Sequence, residues 1–408
     1  MRSTSPLRLV TCPGVLALVV TAFGVAPGGG AAQDAPADLR ARIEAAQPDG
    51  GDQGLGVFTL EELLLEFAVP SVSIAVIHDF DVHWSAAYGL ADTELRRPAD
   101  VETVFQAASI SKPVAAMAVV RAAEDGRFGL DDDVNTILRS WQLDGEGFTA
   151  ARPVTPRSLT SHTSGLGDGF GFPGYHPDDA VPTLLQILDG AAPSNVGRLF
   201  MEREPLTAYE YSGGGVTLMQ QALQDAHGRP FDEILTDEVL DPIGMAHSTY
   251  AQPLPPEWDR NAARAHDREG RAMDAKWHVY PEQAAAGLWT TPTDLARFAI
   301  EVQRALRDES GRVLTRQGAR EMVTPVGVGP YAVGFSIAKR GEGWYFSHGG
   351  SNWGFRASLV AHTAKGYGVA IMTNGDRGSE LIAELQRRVE RAYAWDSIAE
   401  PVRRGYGR

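Results

Sequence analysis

Ser109-Ile110-Ser111-Lys112 opens an apolar run that follows the extended segment Val104 to Ala108. On a helix, side chains at i and i+3 share a face, which brings the Ser109 hydroxyl to the Lys112 amine. A serine hydroxyl is a weak nucleophile until a base lies within hydrogen-bond reach. Burial at a helix start disfavours the ammonium form and leaves a neutral amine able to take the proton. The helix N-terminus also favours negative charge developing nearby. A helix cap followed by a solvated lysine has the same spelling. Usage argues against that plainer reading: four of the 37 basic side chains are lysine, so a surface cation in this chain is normally arginine, and lysine can accept a proton where guanidinium cannot.

Other hydrolytic chemistries leave no trace. Gly-x-Ser-x-Gly, the elbow of α/β-hydrolases, does not occur, nor does the zinc-binding His-Glu-x-x-His. The ten histidines are scattered without ligand spacing, and the single cysteine, Cys12, lies in the leader. Disulfides, thiol nucleophiles and thiolate metal sites are therefore not expected, and no cofactor or metal is required.

Several elements must hold the serine in place. Thr59-Leu60-Glu61-Glu62 has the cap and early acids of a helix running to about Ala68. Ser71 to His78 and Val82 to Tyr88 are β-branched runs around Asp79-Phe80-Asp81, the pattern of a hairpin. Ser109 to Ala123 reads as a buried helix with Pro113 in its first turn. Residues 131–285 alternate short helices with Gly-, Pro- and Asp-rich loops such as Thr163 to Pro182. Helical periodicity returns over Thr293 to Leu306, followed by strand-like runs at Tyr331 to Ala338, Gly343 to Phe346, Arg356 to His362 and Gly366 to Thr373. A helix over Ser379 to Trp395 closes the chain. The expected fold is α/β of the α+β type: an antiparallel sheet built from both chain ends (59–130 and 286–396), flanked by helices, with 131–285 as a mostly helical lobe. Residues 33–58 read as a linker and 397–408 as a tail.

Four further segments follow in order: Leu159-Thr160-Ser161-His162-Thr163-Ser164-Gly165-Leu166, Tyr209-Glu210-Tyr211-Ser212-Gly213, Gly287-Leu288-Trp289-Thr290-Thr291 with Asp294 to Phe298, and Phe346-Ser347-His348-Gly349-Gly350-Ser351 with Trp353-Gly354-Phe355. With Ser109-x-x-Lys112 they make the chain resemble the serine β-lactamases of class C and their relatives, the β-lactamase-like esterases and D-alanyl-D-alanine carboxypeptidases, from about Leu60 to Ala394. The resemblance implies that Ser109 attacks an acyl carbon. Tyr211, as phenolate or through the Lys112 amine, then moves the proton to the leaving group. It implies an oxyanion hole from the N–H groups of Ser109 and Ser351, approached closely because positions 349 and 350 are glycine. His348 lines the pocket, either protonated to help deprotonate Tyr211 or neutral. Tyr209 packs, His162 orders its loop, and Trp353 either walls the substrate groove or packs.

Two positions depart from that pattern. Gly213 stands where relatives carry asparagine, and His348-Gly349-Gly350 replaces Lys-Thr-Gly. Both changes remove groups that bind the amide and carboxylate of a β-lactam, so a small ester, amide or peptide is the expected substrate. Gly213 also supports an alternative, a protein on the same fold that binds a ligand or cell-wall peptide without turnover.

Composition narrows the surroundings. The formal charge is −15; with Arg2 and Arg8 ahead of the first acid, Asp34, loss of residues 1–32 gives −15 − 2 = −17. Such a surface disfavours nucleic acid and anionic membranes as partners and leaves small molecules and peptides. Arg2 and Arg8, the apolar core Val15 to Ala26 and the stretch Gly28 to Ala32 form an export signal with cleavage expected after Ala32. The alternative is an uncleaved anchor. The mature protein is expected to be periplasmic or secreted, without stable membrane insertion.

Overall fold

Eight residues, Ser71–His78, form strand β1, seven of them buried. Their alternation sends Val72, Ile74 and Val76 to one face and Ala75 and Ile77 to the other, so β1 must be central, with a hydrophobic layer on each side. It pairs with β2 (Asp81–Asp92) across Asp79 and Phe80, whose φ values of 52° and 61° give the turn the left-handed backbone that suits a tight hairpin. The edge strand on that side is β3 (Arg97–Pro98). From the far end of the chain come β4 (Ser336–Arg340), β5 (Gly343–Asn352), β6 (Phe355–His362) and β7 (Gly368–Thr373). The sheet order is β3-β2-β1-β7-β6-β5-β4, every neighbour antiparallel, with the two chain ends joined from Val72↔Thr373 to Ile77↔Gly368.

This computed structural model describes residues 35–47, 54–144, 148–149, 151–167 and 172–396. The expected leader, 1–32, and tail, 397–408, lie outside those residues. No helix among the described residues is long and apolar enough to cross a membrane.

One face of the sheet is covered by α1 (Pro36–Glu44), α2 (Leu60–Glu66) and the closing helix α6 (Gly378–Ala392), which bury Ile43, Leu63, Leu381 and Leu385 against Val72, Ile74 and Val369. The reciprocal capping box of Thr59 and Glu62 starts α2, as its sequence predicts. Helix α1 corrects the linker reading of 33–58. Leu39 and Ile43 lie four apart on one side of a nine-residue helix and are both buried, a stripe too short to stand out against its charged neighbours. Arg388 of α6, fully buried, donates to the carbonyls of Ile43, Ala45, Leu55 and Phe58 while pairing with Glu384. The guanidinium's fork of donors satisfies carbonyls that would otherwise be stranded.

The other face carries α5 (Pro292–Leu306), with Leu295, Phe298 and Val302 buried; the turn that precedes α3 (Ser111–Glu124) packs on β5 and β6. Helix α4 (Gly213–His227) and several shorter helices between residues 134 and 286 pack onto α3.

Two strand boundaries differ from the periodicity in ways that create the site. The strand expected from Tyr331 starts only at Ser336, because Gly334, at φ 93°, breaks the run. The strand expected to stop at Phe346 continues through both glycines to Asn352. Strand β4 therefore ends at Ser336↔Ser347, and the last part of β5 extends past it.

Candidate active site

Ser109 does not begin the α-helix. It lies in a 3-10 turn, Ala108–Ile110, that feeds α3, whose first residue is Ser111. Ala108 has φ 58°, a left-handed conformation that L-alanine rarely adopts. Its surroundings impose it: Ala107 N–H donates to the Leu288 carbonyl at 2.8 Å, Ser111 Oγ donates to the Ala108 carbonyl and accepts from Leu288 N–H, and Tyr250 Oη donates to the Ser111 carbonyl at 2.6 Å. The next turn of helix brings Lys112 back under the serine. Its Nζ lies 3.1 Å from Ser109 Oγ and 2.7 Å from the Ala285 carbonyl, in a side chain 4% exposed.

Tyr211 arrives from the start of α4. Ser212 caps that helix, its Oγ accepting Gly215 N–H at 2.9 Å, and this fixes the chain one residue after the tyrosine. Lys112 Nζ sits 5.1 Å from the centroid of the Tyr211 ring, so the structure brings the side chains of Ser109, Lys112 and Tyr211 together. Tyr209 instead stacks on Tyr331 at 5.3 Å and 16°, a packing role. Gly213, the first residue of α4, is buried and presents no side chain.

The opposite wall is the end of β5. Two-residue turns close on pairs that exchange backbone hydrogen bonds, here Arg340↔Gly343 and Asn352↔Phe355. Odd-numbered residues of β5 consequently turn N–H and C=O toward β4, and even-numbered ones toward β6. The Trp344 carbonyl, which accepts Thr363 N–H beyond β6, follows the same alternation. Past Ser347 no β4 residue pairs with β5, and by this alternation the Ser351 N–H turns to that edge; the resemblance casts it as an oxyanion donor.

Side chains of even-numbered residues point onto the Ser109 turn. Asn352 Nδ2 donates to Gln106 Oε1 at 3.0 Å and to the Ala286 carbonyl at 3.1 Å, tying β5 to both segments that cradle the serine. A Cβ on Gly350 would lie 2.2 Å from the Ala107 carbonyl, whereas one on Gly349 would meet only the Ala357 carbonyl at 3.9 Å. The close approach expected of both glycines is thus needed at one. Gly350→Ala is expected to push the serine turn away from β5 and lower kcat/KM by about 10- to 100-fold, as an ångström of misplacement does. Steady-state kinetics beside a thermal melt checks this.

His348, 5% exposed, keeps Nδ1 2.7 Å from the Gly349 carbonyl. A carbonyl only accepts, so Nδ1 carries the hydrogen and Nε2 is a buried acceptor with no partner among the described residues. Burial, then the charge of Lys112, push its pKa down to about 3. This favours the neutral of the two roles open to it. Trp353, in the β5–β6 turn, stacks face to face on His278 at 3.9 Å, and its backbone N–H donates to Tyr280 Oη. His278, Tyr331 and the carbonyls of Ala285 and Ala286 escaped the motif reading; for the carbonyls, the sole signal was the neighbouring Gly287-Leu288-Trp289 segment.

Comparison with known proteins identifies the family. The family model described as Beta-lactamase matches residues 57–393. Penicillin-binding protein 4 of Amycolatopsis lactamdurans is 26% identical over 349 residues, covering 81% of this chain and 87% of that protein. Protein flp of Staphylococcus aureus (strain MW2) is 23% identical over 337 residues, 80% of this chain, which span 63% of that longer protein's length. The structure of D-amino acid amidase from Ochrobactrum anthropi SV3, complexed with L-phenylalanine amide, superposes with a TM-score of 0.66 at 22% identity, covering 88% of this chain and 99% of that one. The chain belongs to the beta-lactamase family.

Proposed function

We propose that this protein is a serine hydrolase that cleaves small carboxylic esters or amides, including short peptides, through an acyl-enzyme on Ser109. The observation that carries the reading is the contact of Lys112 Nζ with Ser109 Oγ at 3.1 Å beneath the Tyr211 ring. The Lys112–Tyr211 pair takes the hydroxyl proton as Oγ bonds to the acyl carbon. The carbonyl oxygen gathers charge against the N–H groups of Ser109 and Ser351. The pair returns the proton to the leaving alcohol or amine as its bond to carbon breaks. Water then repeats the sequence on the ester, its proton passing through the same pair, to release the acid and restore Ser109.

The substrate class follows from what the pocket lacks. Gly213 offers no side-chain amide, and neutral His348 offers no charge to a substrate carboxylate. The likeness to a D-amino acid amidase and a penicillin-binding protein supports amides and esters of D-amino acids within this class. The leader sequence supports action outside the cytoplasm.

A fluorophosphonate probe and a substrate panel test the proposal. The probe is expected to add one adduct, located on Ser109 by peptide mass spectrometry. Over the panel, p-nitrophenyl esters and D-amino acid amides are expected to exceed a chromogenic cephalosporin in kcat/KM by about 100-fold, the scale on which an unmatched polar group is rejected. No adduct on Ser109 would instead indicate a binding protein without turnover.

A further inference from the structure

His162 takes no part in the proton path drawn above, yet it holds Tyr211 from three directions. Its carbonyl accepts the N–H of Glu210 at 2.9 Å and its Nδ1 accepts the N–H of Ser212 at 3.1 Å. The residues immediately before and after Tyr211 therefore both end on one histidine. Its ring lies against the tyrosine, centroids 4.2 Å apart and planes 32° from parallel, with the Tyr331 ring packed edgewise at 4.9 Å.

The backbone shows that the imidazole itself is wanted. His162 has φ 60° and is 1% exposed. Asparagine and glycine adopt that conformation too, and either would suffice to turn a loop. Neither would supply a ring under Tyr211. An Nδ1 that accepts must be unprotonated, and burial holds the imidazole well below its ordinary pKa, so the acceptor persists.

We infer that His162 is a positioning residue of the reaction, fixing Tyr211 over Lys112 through its clamp on Glu210 and Ser212 and its ring contact. The inference rests on the acyl transfer proposed for Ser109. It goes beyond ordering the loop, because the group it orients carries the proton.

The test is a double-mutant cycle on the rate of Ser109 phosphonylation, followed by intact mass with a fluorophosphonate so that slow variants remain measurable. His162→Ala is expected to slow labelling about 30-fold. His162→Asn, which suits the left-handed backbone and restores an acceptor without the ring, is expected to slow it only about 5-fold. In a Tyr211→Phe background each is expected to cost about 2-fold or less, since no phenolic hydroxyl remains to be placed. Equal losses in both backgrounds would overturn the inference and leave His162 a support of the fold alone. Should the alanine variant not fold, the asparagine variant decides by the same comparison. A wild-type Ser109 that takes no label fails earlier, overturning the acyl-transfer reading and this inference with it.

Discussion

Ser109→Ala is expected to cut hydrolysis of a p-nitrophenyl ester by about 10⁴- to 10⁶-fold, to the level of the buffer blank, the scale seen when a serine nucleophile is deleted. The fold should barely register the change. The strained turn is pinned by Ala107, Ser111 and Tyr250, not by the Ser109 side chain, and Lys112 keeps its bond to the Ala285 carbonyl. A shift of less than about 1 kcal/mol is expected, as for substitutions that open no cavity and strand no polar group. Ser111 cannot take over, because it is fully buried and its hydroxyl is committed both as donor to Ala108 and as acceptor from Leu288. Turnover, a thermal melt and intact mass after fluorophosphonate treatment measure all three points. Undiminished turnover in a folded Ala variant would remove Ser109 from the chemistry.

How far the sequence foretold this arrangement depends on the distance over which each contact forms. The Ser109–Lys112 contact is local: three residues along a turn settle it, so the spacing was enough to expect it. Strand β1 was equally legible as a strand, since a mostly apolar run rich in β-branched residues has few alternatives, though only its two-sided burial shows it to be central. The 3-10 turn was not, because Ala108 carries no mark of a left-handed residue. Its conformation comes from Leu288 and Tyr250, far along the chain. Likewise Gly349 and Gly350 read as a strand ending, glycine being poor in strands, when Gly350 is in fact the place where β5 touches the Ala107 carbonyl. The neutrality of His348 arises from burial beside Lys112 and has no signature in residue order. The helix over 36–44 was missed for the opposite reason: its apolar face is real but is only Leu39 and Ile43 long.

Lys112→Arg separates the two things that a buried amine can do here, and its expected outcome is a loss of about 10³- to 10⁴-fold in kcat, the upper range for removing a positioned proton carrier. If the lysine served only as a fixed positive charge beside the oxyanion, arginine would preserve most of the activity. If it accepts the Ser109 proton, arginine must fail, because guanidinium keeps its charge at any working pH. The geometry favours the second outcome. Nζ stands 3.1 Å from the hydroxyl it would deprotonate, and the Ala285 carbonyl at 2.7 Å holds it in place. Crowding is the competing explanation, since a larger side chain in a 4% exposed position costs about 1–3 kcal/mol in a packed interior. Lys112→Met answers it, being of similar length with neither charge nor proton acceptor. Both variants inactive, with melting temperatures near the wild type, would assign the proton transfer to the amine. An arginine variant within about 10-fold of wild type beside a dead methionine variant would reduce Lys112 to an electrostatic role and leave Tyr211 as the base.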